Sequence, residues 1–100
     1  GGQPQLITIY WRDIPAQVTA RADRIRVSAK LDDRFQTAID GAATRAGKTD
    51  DDAYLAEWRE ERKPCGADLE AAVAARKVEL EDYFTPERLR EYVRSGGQAL

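Results

Sequence analysis

The residues able to do chemistry are few. The chain holds one cysteine, Cys65, a run of three aspartates, Asp50-Asp51-Asp52, and no histidine. Without histidine there is no imidazole ligand for a metal, no Ser-His or Cys-His pair, and no side chain that ordinarily titrates near neutrality. Cys65 follows Lys63-Pro64 and precedes the start of a helix, a setting that favours a reactive thiol. It has no histidine to serve as its base, so it reads as a turn cysteine. A lone cysteine also rules out an internal disulfide and a thiolate cluster. The three aspartates offer hard oxygen ligands. Adjacent carboxylates seldom converge on one ion, however, and the run lacks the spacing and glycine of a calcium loop. It reads as a solvated helix cap, and no metal or cofactor is expected. No catalytic residue can be named, and the chain is expected not to be an enzyme.

Binding chemistry is better represented. Tyr10, Trp11, Tyr54, Trp58, Tyr83 and Tyr92 supply large aromatic surface, and aromatic residues with arginine dominate binding hot spots. These aromatics also suit the core of a small domain. Tyr10, Arg12, Trp58 and Arg59 are the expected partner-binding surface. The one cluster of positive charge is Arg21, Arg24, Arg26 and Lys30, with Arg34 at its margin, spanning residues 21–34. Such a ribbon could contact nucleic-acid phosphates. Asp23, Asp32 and Asp33 dilute it, and no exposed aromatic interleaves with it to stack on bases. Nucleic acid is therefore the weaker reading, and the outer face of a one-sided sheet explains the same charges.

The elements that carry these residues follow from periodicity. Leu6 to Arg12 is apolar on both faces as far as Tyr10, as an interior strand requires, and Asp13-Ile14-Pro15 interrupts it. Residues 16–21 and 25–31 alternate apolar and polar, predicting an antiparallel hairpin with Arg24, Arg26, Ser28 and Lys30 turned outward. The period then lengthens. Phe35, Ala38, Ile39, Ala42, Ala43 and Ala46 predict a helix opened by an Asp33–Gln36 capping box and closed at Gly47. Gly41 within it either admits a close neighbour or weakens it. Residues 53–63 read more readily as a helix capped at Thr49 or Asp50 than as a fourth strand. After the Pro64-Cys65-Gly66 breaker, Leu69, Ala72, Val73, Arg76 and Leu80 mark a helix over 68–84. Thr85-Pro86-Glu87 begins a last one, ended by Ser95-Gly96-Gly97.

These elements predict one α+β domain over residues 5–94: a small antiparallel sheet of three or four strands, with three or four helices packed mainly on one face. Residues 1–4, beginning Gly1-Gly2, read as a disordered expression remnant or processed terminus, and residues 95–100 as a flexible tail. The 100 residues, 42% hydrophobic and 34% charged, are enough for one modest core. A net charge of −2 gives no global attraction to nucleic acid or anionic membrane. No apolar run approaches the length of a membrane span and no secretory leader is evident, so the chain reads as cytoplasmic.

Ile7-Thr8-Ile9-Tyr10-Trp11-Arg12-Asp13-Ile14-Pro15-Ala16-Gln17-Val18, with Asp33-Arg34-Phe35-Gln36, Ala38-Ile39-Asp40 and Ala53-Tyr54-Leu55-Ala56-Glu57-Trp58-Arg59, resembles a family of small bacterial "virulence factor" domains. The likeness covers most of residues 6–65 and is less specific beyond Cys65. It implies a bacterial cytosolic accessory protein. Some relatives lie beside genes for corrinoid and tetrahydrofolate methyl transfer, and others are fused to helical repeat scaffolds. Both settings favour a non-catalytic scaffold that binds an unidentified protein partner, and the likeness brings no catalytic residues with it. A corrinoid or tetrahydrofolate accessory role is the alternative, requiring a pocket with convergent carboxylates near Arg12 and Asp13. Self-association into a homodimer through a sheet edge is a further possibility.

Overall fold

The computed structural model of the protein describes residues 3–99. The expectations for Gly1, Gly2 and Leu100 lie outside the described residues. The fold is α+β, with four antiparallel strands and four helices among the described residues. The strands are β1 (Gln5–Trp11), β2 (Ile14–Ala22), β3 (Ile25–Lys30) and β4 (Trp58–Pro64), in spatial order β3-β2-β1-β4. The helices are α1 (Asp33–Ala46), α2 (Asp51–Leu55), α3 (Leu69–Tyr83) and α4 (Pro86–Arg94).

β1 is interior, as its two apolar faces demand. β2 begins two residues earlier than the alternation suggests. Arg12 and Asp13 alone make the turn, and Ile14 already pairs with Trp11. Pro15 does not end the sheet because the register shifts between the Ile9–Gln17 and Tyr10–Pro15 pairs. Such an irregularity tolerates a residue without an N–H. The turn needs Arg12 at φ +52°, an uncommon left-handed conformation for a residue with a side chain.

Residues 53–63 divide. Asp50 caps the short α2, its carboxylate accepting from the Ala53 N–H at 3.2 Å. From Trp58 onward the chain pairs along β1, Trp58 opposite Trp11 and Pro64 opposite Gln5. Helix propensity favoured one long helix, but the otherwise open edge of β1 outweighs it, since strand formation answers to cross-strand packing more than to intrinsic preference.

α1 begins at an N-cap one residue earlier than the capping box implied. Asp32 accepts from the Arg34 N–H, while the Gln36 amide turns to Asp40 and to the Tyr54 hydroxyl. Gly41 is a packing site, where an added Cβ would come within 3.3 Å of Val93 Cγ1 on α4. A single core runs through Leu6, Trp11, Ile14, Val18, Phe35, Ile39, Val73, Leu80, Phe84, Leu89 and Tyr92. α3 crosses the face of Leu6, Thr8 and Tyr10, where Arg76 donates to Thr8 Oγ1 and to the Tyr10 hydroxyl.

The segment expected to be a flexible tail is docked in its described part. Asp13 N–H donates to Gly97 O at 2.8 Å, the Ala99 N–H donates to Asp13, and Gly96 and Gly97 are buried. Gly97 has φ +90°, and a Cβ there would meet Trp11 Cζ3 at 2.9 Å, so only glycine fits. At the other terminus, Cys65 N–H donates to Pro4 O, so Pro4 continues the β1–β4 pairing rather than hanging free. Among the described residues no helix is long and apolar enough to cross a membrane.

Candidate functional site

The two sides of the sheet differ. One carries Leu6, Thr8 and Tyr10 under α3. The register places Ile7 and Ile9 on the opposite side, beside Gln17, Thr19 and Arg21 of β2, Arg26, Ser28 and Lys30 of β3, and Trp58, Glu60 and Arg62 of β4. On this second side the Thr19 and Ser28 hydroxyls are hydrogen-bonded at 2.8 Å, and Gln17 donates to Thr19. Arg62 pairs with Glu60 at 3.1 Å. Where α1 begins, this surface deepens into a cleft of about 260 Å³ between Ile9, Gln17, Lys30, Asp33, Gln36 and Trp58.

Trp58 forms one wall of the cleft. Its position follows from a chain of aromatic contacts. Trp11 is fully buried and donates its indole N–H to Tyr54 O at 2.9 Å. Tyr54 stacks on Trp11 with centroids 5.8 Å apart and meets Trp58 edge to face at 5.9 Å. Offset and edge-to-face geometries are the favoured ones for such rings. α2, short as it is, therefore serves to wedge Tyr54 between the two tryptophans. Gln36 reaches the Tyr54 hydroxyl from α1, tying the cleft's far wall to the same cluster.

Of the four residues expected to form one partner surface, Arg59 touches both Tyr10 and Arg12, while Trp58 faces the other side of the sheet. Tyr10 faces α3, where its hydroxyl accepts from Arg76 Nη2 at 3.1 Å and its ring lies under the Arg59 guanidinium at 4.4 Å. Burial pushes its pKa up, against the pull of Arg76 and with the help of Glu61. Arg12 is consumed internally. Its Nε and Nη2 both reach Glu57 Oε1 at 2.8 Å, and Nη1 donates to Gly96 O at 3.0 Å. Arg59 donates to Arg12 O at 2.7 Å and holds Asp13 and Glu61, each at 2.9 Å. Burial opposes its charge, but the bonds to Glu61 and Asp13 prevail and raise its pKa. Arg12, Asp13, Glu57 and Arg59 thus form a clasp joining the β1–β2 turn, the start of β4 and the C-terminal residues. Only Trp58 of the four opens onto the cleft.

Asp13 and Arg12 line neither the cleft nor four further cavities on the described surface. The convergent carboxylates required by a corrinoid or folate pocket at that turn are bound up in the clasp. The basic residues separate as well. Arg21 and Arg26 stand directly opposite each other on the cleft side, with Lys30 opposite Gln17, while Arg24 is in the turn. Arg34 leaves the group altogether: it donates to Glu81 O and Phe84 O and closes the end of α3. Asp50 is occupied as a cap. Among the described residues no three His, Cys, Asp or Glu side chains are grouped so as to hold a metal ion.

Gln17 and Gln36 are cleft residues that sequence patterning does not single out. Gln17 reads as a polar outward position and Gln36 as a helix cap, and only the strand order joins them to Trp58.

No curated protein and no solved structure matches the chain. A family match runs from residue 9 to residue 93, from the middle of β1 to α4 and so well past Cys65, and by it the chain belongs to the Virulence factor family.

Proposed function

We propose that this chain is a non-catalytic accessory protein of the bacterial cytoplasm, and that it binds a protein partner through the cleft side of its sheet. The observation that carries the reading is Trp58. It stands partly exposed beside Lys30, Gln17 and Gln36, whereas Trp11 of the same cluster is fully buried and Tyr54 lines no part of the cleft. A half-buried tryptophan with polar groups at its rim is the usual make-up of a binding hot spot. The strands beneath it are pinned by the clasp, so the surface is held in shape before a partner arrives. Arg12 and Arg59 act in this account as positioning residues.

The test is affinity capture of the tagged chain from a bacterium that carries it, followed by titration of the purified partner. A stoichiometric protein should be retained by the wild type and by Arg45→Ala, and lost by Trp58→Ala and Lys30→Glu while their melting temperatures stay near that of the wild type. Equal capture by all four would overturn the assignment.

A second reading gains from the same face. Trp58 joins Arg21, Arg26, Lys30 and Arg62 on one side of the sheet, supplying a stacking ring beside basic side chains. If single-stranded nucleic acid is the ligand, oligonucleotide anisotropy should show an affinity that falls steeply with salt and weakens with Arg26→Glu. A flat salt response would dismiss it.

A further inference from the structure

The outer edge of β4 is open to a partner strand whether or not the cleft binds a partner protein. β4 is a terminal strand of the sheet, and every residue from Arg59 to Pro64 is exposed. The hydrogen-bonding parity of the strand can be read from its two ends. Arg12 N–H donates to Glu57 O and Cys65 N–H to Pro4 O. Antiparallel pairing alternates, so Arg59, Glu61 and Lys63 direct their backbone groups to β1, while Trp58, Glu60 and Arg62 direct theirs outward. The outer edge therefore offers three residues with free donors and acceptors before Pro64, which has no N–H.

We propose that this edge pairs with the same edge of a second copy of the chain, antiparallel and centred on Glu60, to give one continuous eight-stranded sheet. Two-fold symmetry and the outward parity leave few registers. Centring on Glu60 sets Trp58 opposite Arg62 of the second copy and Arg59 opposite its Glu61, each twice. A guanidinium over an indole and an opposite-charge pair are both favourable cross-strand neighbours. The one like pair, Glu60 on Glu60, is flanked by both Arg62 side chains, and Arg62 already bonds Glu60 within the strand.

The alternatives are poorer. Centring on Glu61 sets Glu60 against Arg62 twice, but also Glu61 on itself and Arg59 against Lys63 twice, and centring on Arg59 sets that arginine on itself. The opposite edge of the sheet does not serve. Leu31 N–H donates to Ala16 O, so Arg26, Ser28 and Lys30 face outward from β3. Pairing β3 with its copy about Ser28 would oppose Arg26 to Lys30 twice. Among these self-pairings the charges favour β4 on β4 centred on Glu60, where uniformly charged edges only repel. In the dimer the guanidinium of Arg62 from the second copy stands beside Trp58, so that residue's surroundings are completed across the two-fold axis.

Sedimentation equilibrium from micromolar to millimolar concentration tests this directly. The wild type should associate as a reversible dimer. Glu60→Gln, which removes the like-charge pair, should bind about two- to fivefold more tightly. Glu60→Pro, which deletes an outward donor without touching the β1–β4 bonds, should be monomeric with an unchanged circular dichroism spectrum. Arg26→Pro on β3 deletes an outward donor at the other edge and should remain dimeric. In a Cys65→Ser background, Glu60→Cys should form a disulfide-linked dimer on mild oxidation, reporting the register itself. A wild type and Glu60→Gln that both stay monomeric would overturn the proposal, as would a folded Glu60→Pro variant that still dimerises.

Discussion

Arg12 adopts a left-handed conformation at φ +52° and spends its guanidinium on Glu57 and Gly96, so its backbone and its side chain are held by different parts of the chain. Hydrogen bonds between charged and carbonyl groups at partly buried sites are worth more than neutral ones. Arg12→Ala should lower unfolding free energy by about 1.5–3 kcal/mol in urea titrations. Arg12→Lys should recover little, because a point charge cannot reproduce a fork that reaches Glu57 and Gly96 together. Gly97→Ala forces a Cβ at φ +90° into the Trp11 ring and should cost about 2–3 kcal/mol, read the same way. Tyr10 gives the fold an alkaline limit. Its pKa in the folded chain lies above the ordinary 10.0, first because it is buried. The folded chain therefore holds that proton more tightly than the unfolded one. The stabilisation is complete below the ordinary value and is lost as pH climbs through the raised one. Tyr92, also raised, contributes in the same direction. Stability should decline above about pH 10, and Tyr10→Phe should make that decline shallower.

Elements divided into those the amino-acid pattern specifies and those only the assembled sheet decides. β1, the β2–β3 hairpin, α1, α3 and α4 are visible in alternation, 3.6-residue periodicity and caps. The segment over residues 50–64 is not, because Trp58-Arg59-Glu60-Glu61-Arg62-Lys63 has the charge content of a helix and only the vacant edge of β1 makes it a strand. The candidate site was blurred for the same reason. Tyr10 and Trp58 both look like surface aromatics in sequence, yet one strand parity puts Tyr10 under α3 and the other puts Trp58 on the open side. Arg34 is a further case, a basic residue near a basic hairpin that instead caps α3. Arg34→Ala leaves the carbonyls of Glu81 and Phe84 without their donor, and thermal unfolding should register a loss of about 1–2 kcal/mol. A loss confined to the noise would mean that water replaces the guanidinium at no cost.

As a whole molecule the protein places its helices so that one side of the sheet is packed and the other is left to a cleft with one tryptophan at its wall. Belonging to the Virulence factor family fixes the type of domain, and the partner-binding role is a claim about which side of that domain acts. Amide chemical-shift mapping with the captured partner tests it most directly. The account predicts that perturbed amides gather around Ile9, Gln17, Lys30, Gln36 and Trp58, and that Trp58→Ala abolishes the shifts while keeping the spectrum of a folded chain. Shifts concentrated instead around Thr8, Glu61 and Arg76, on the α3 side, would contradict it.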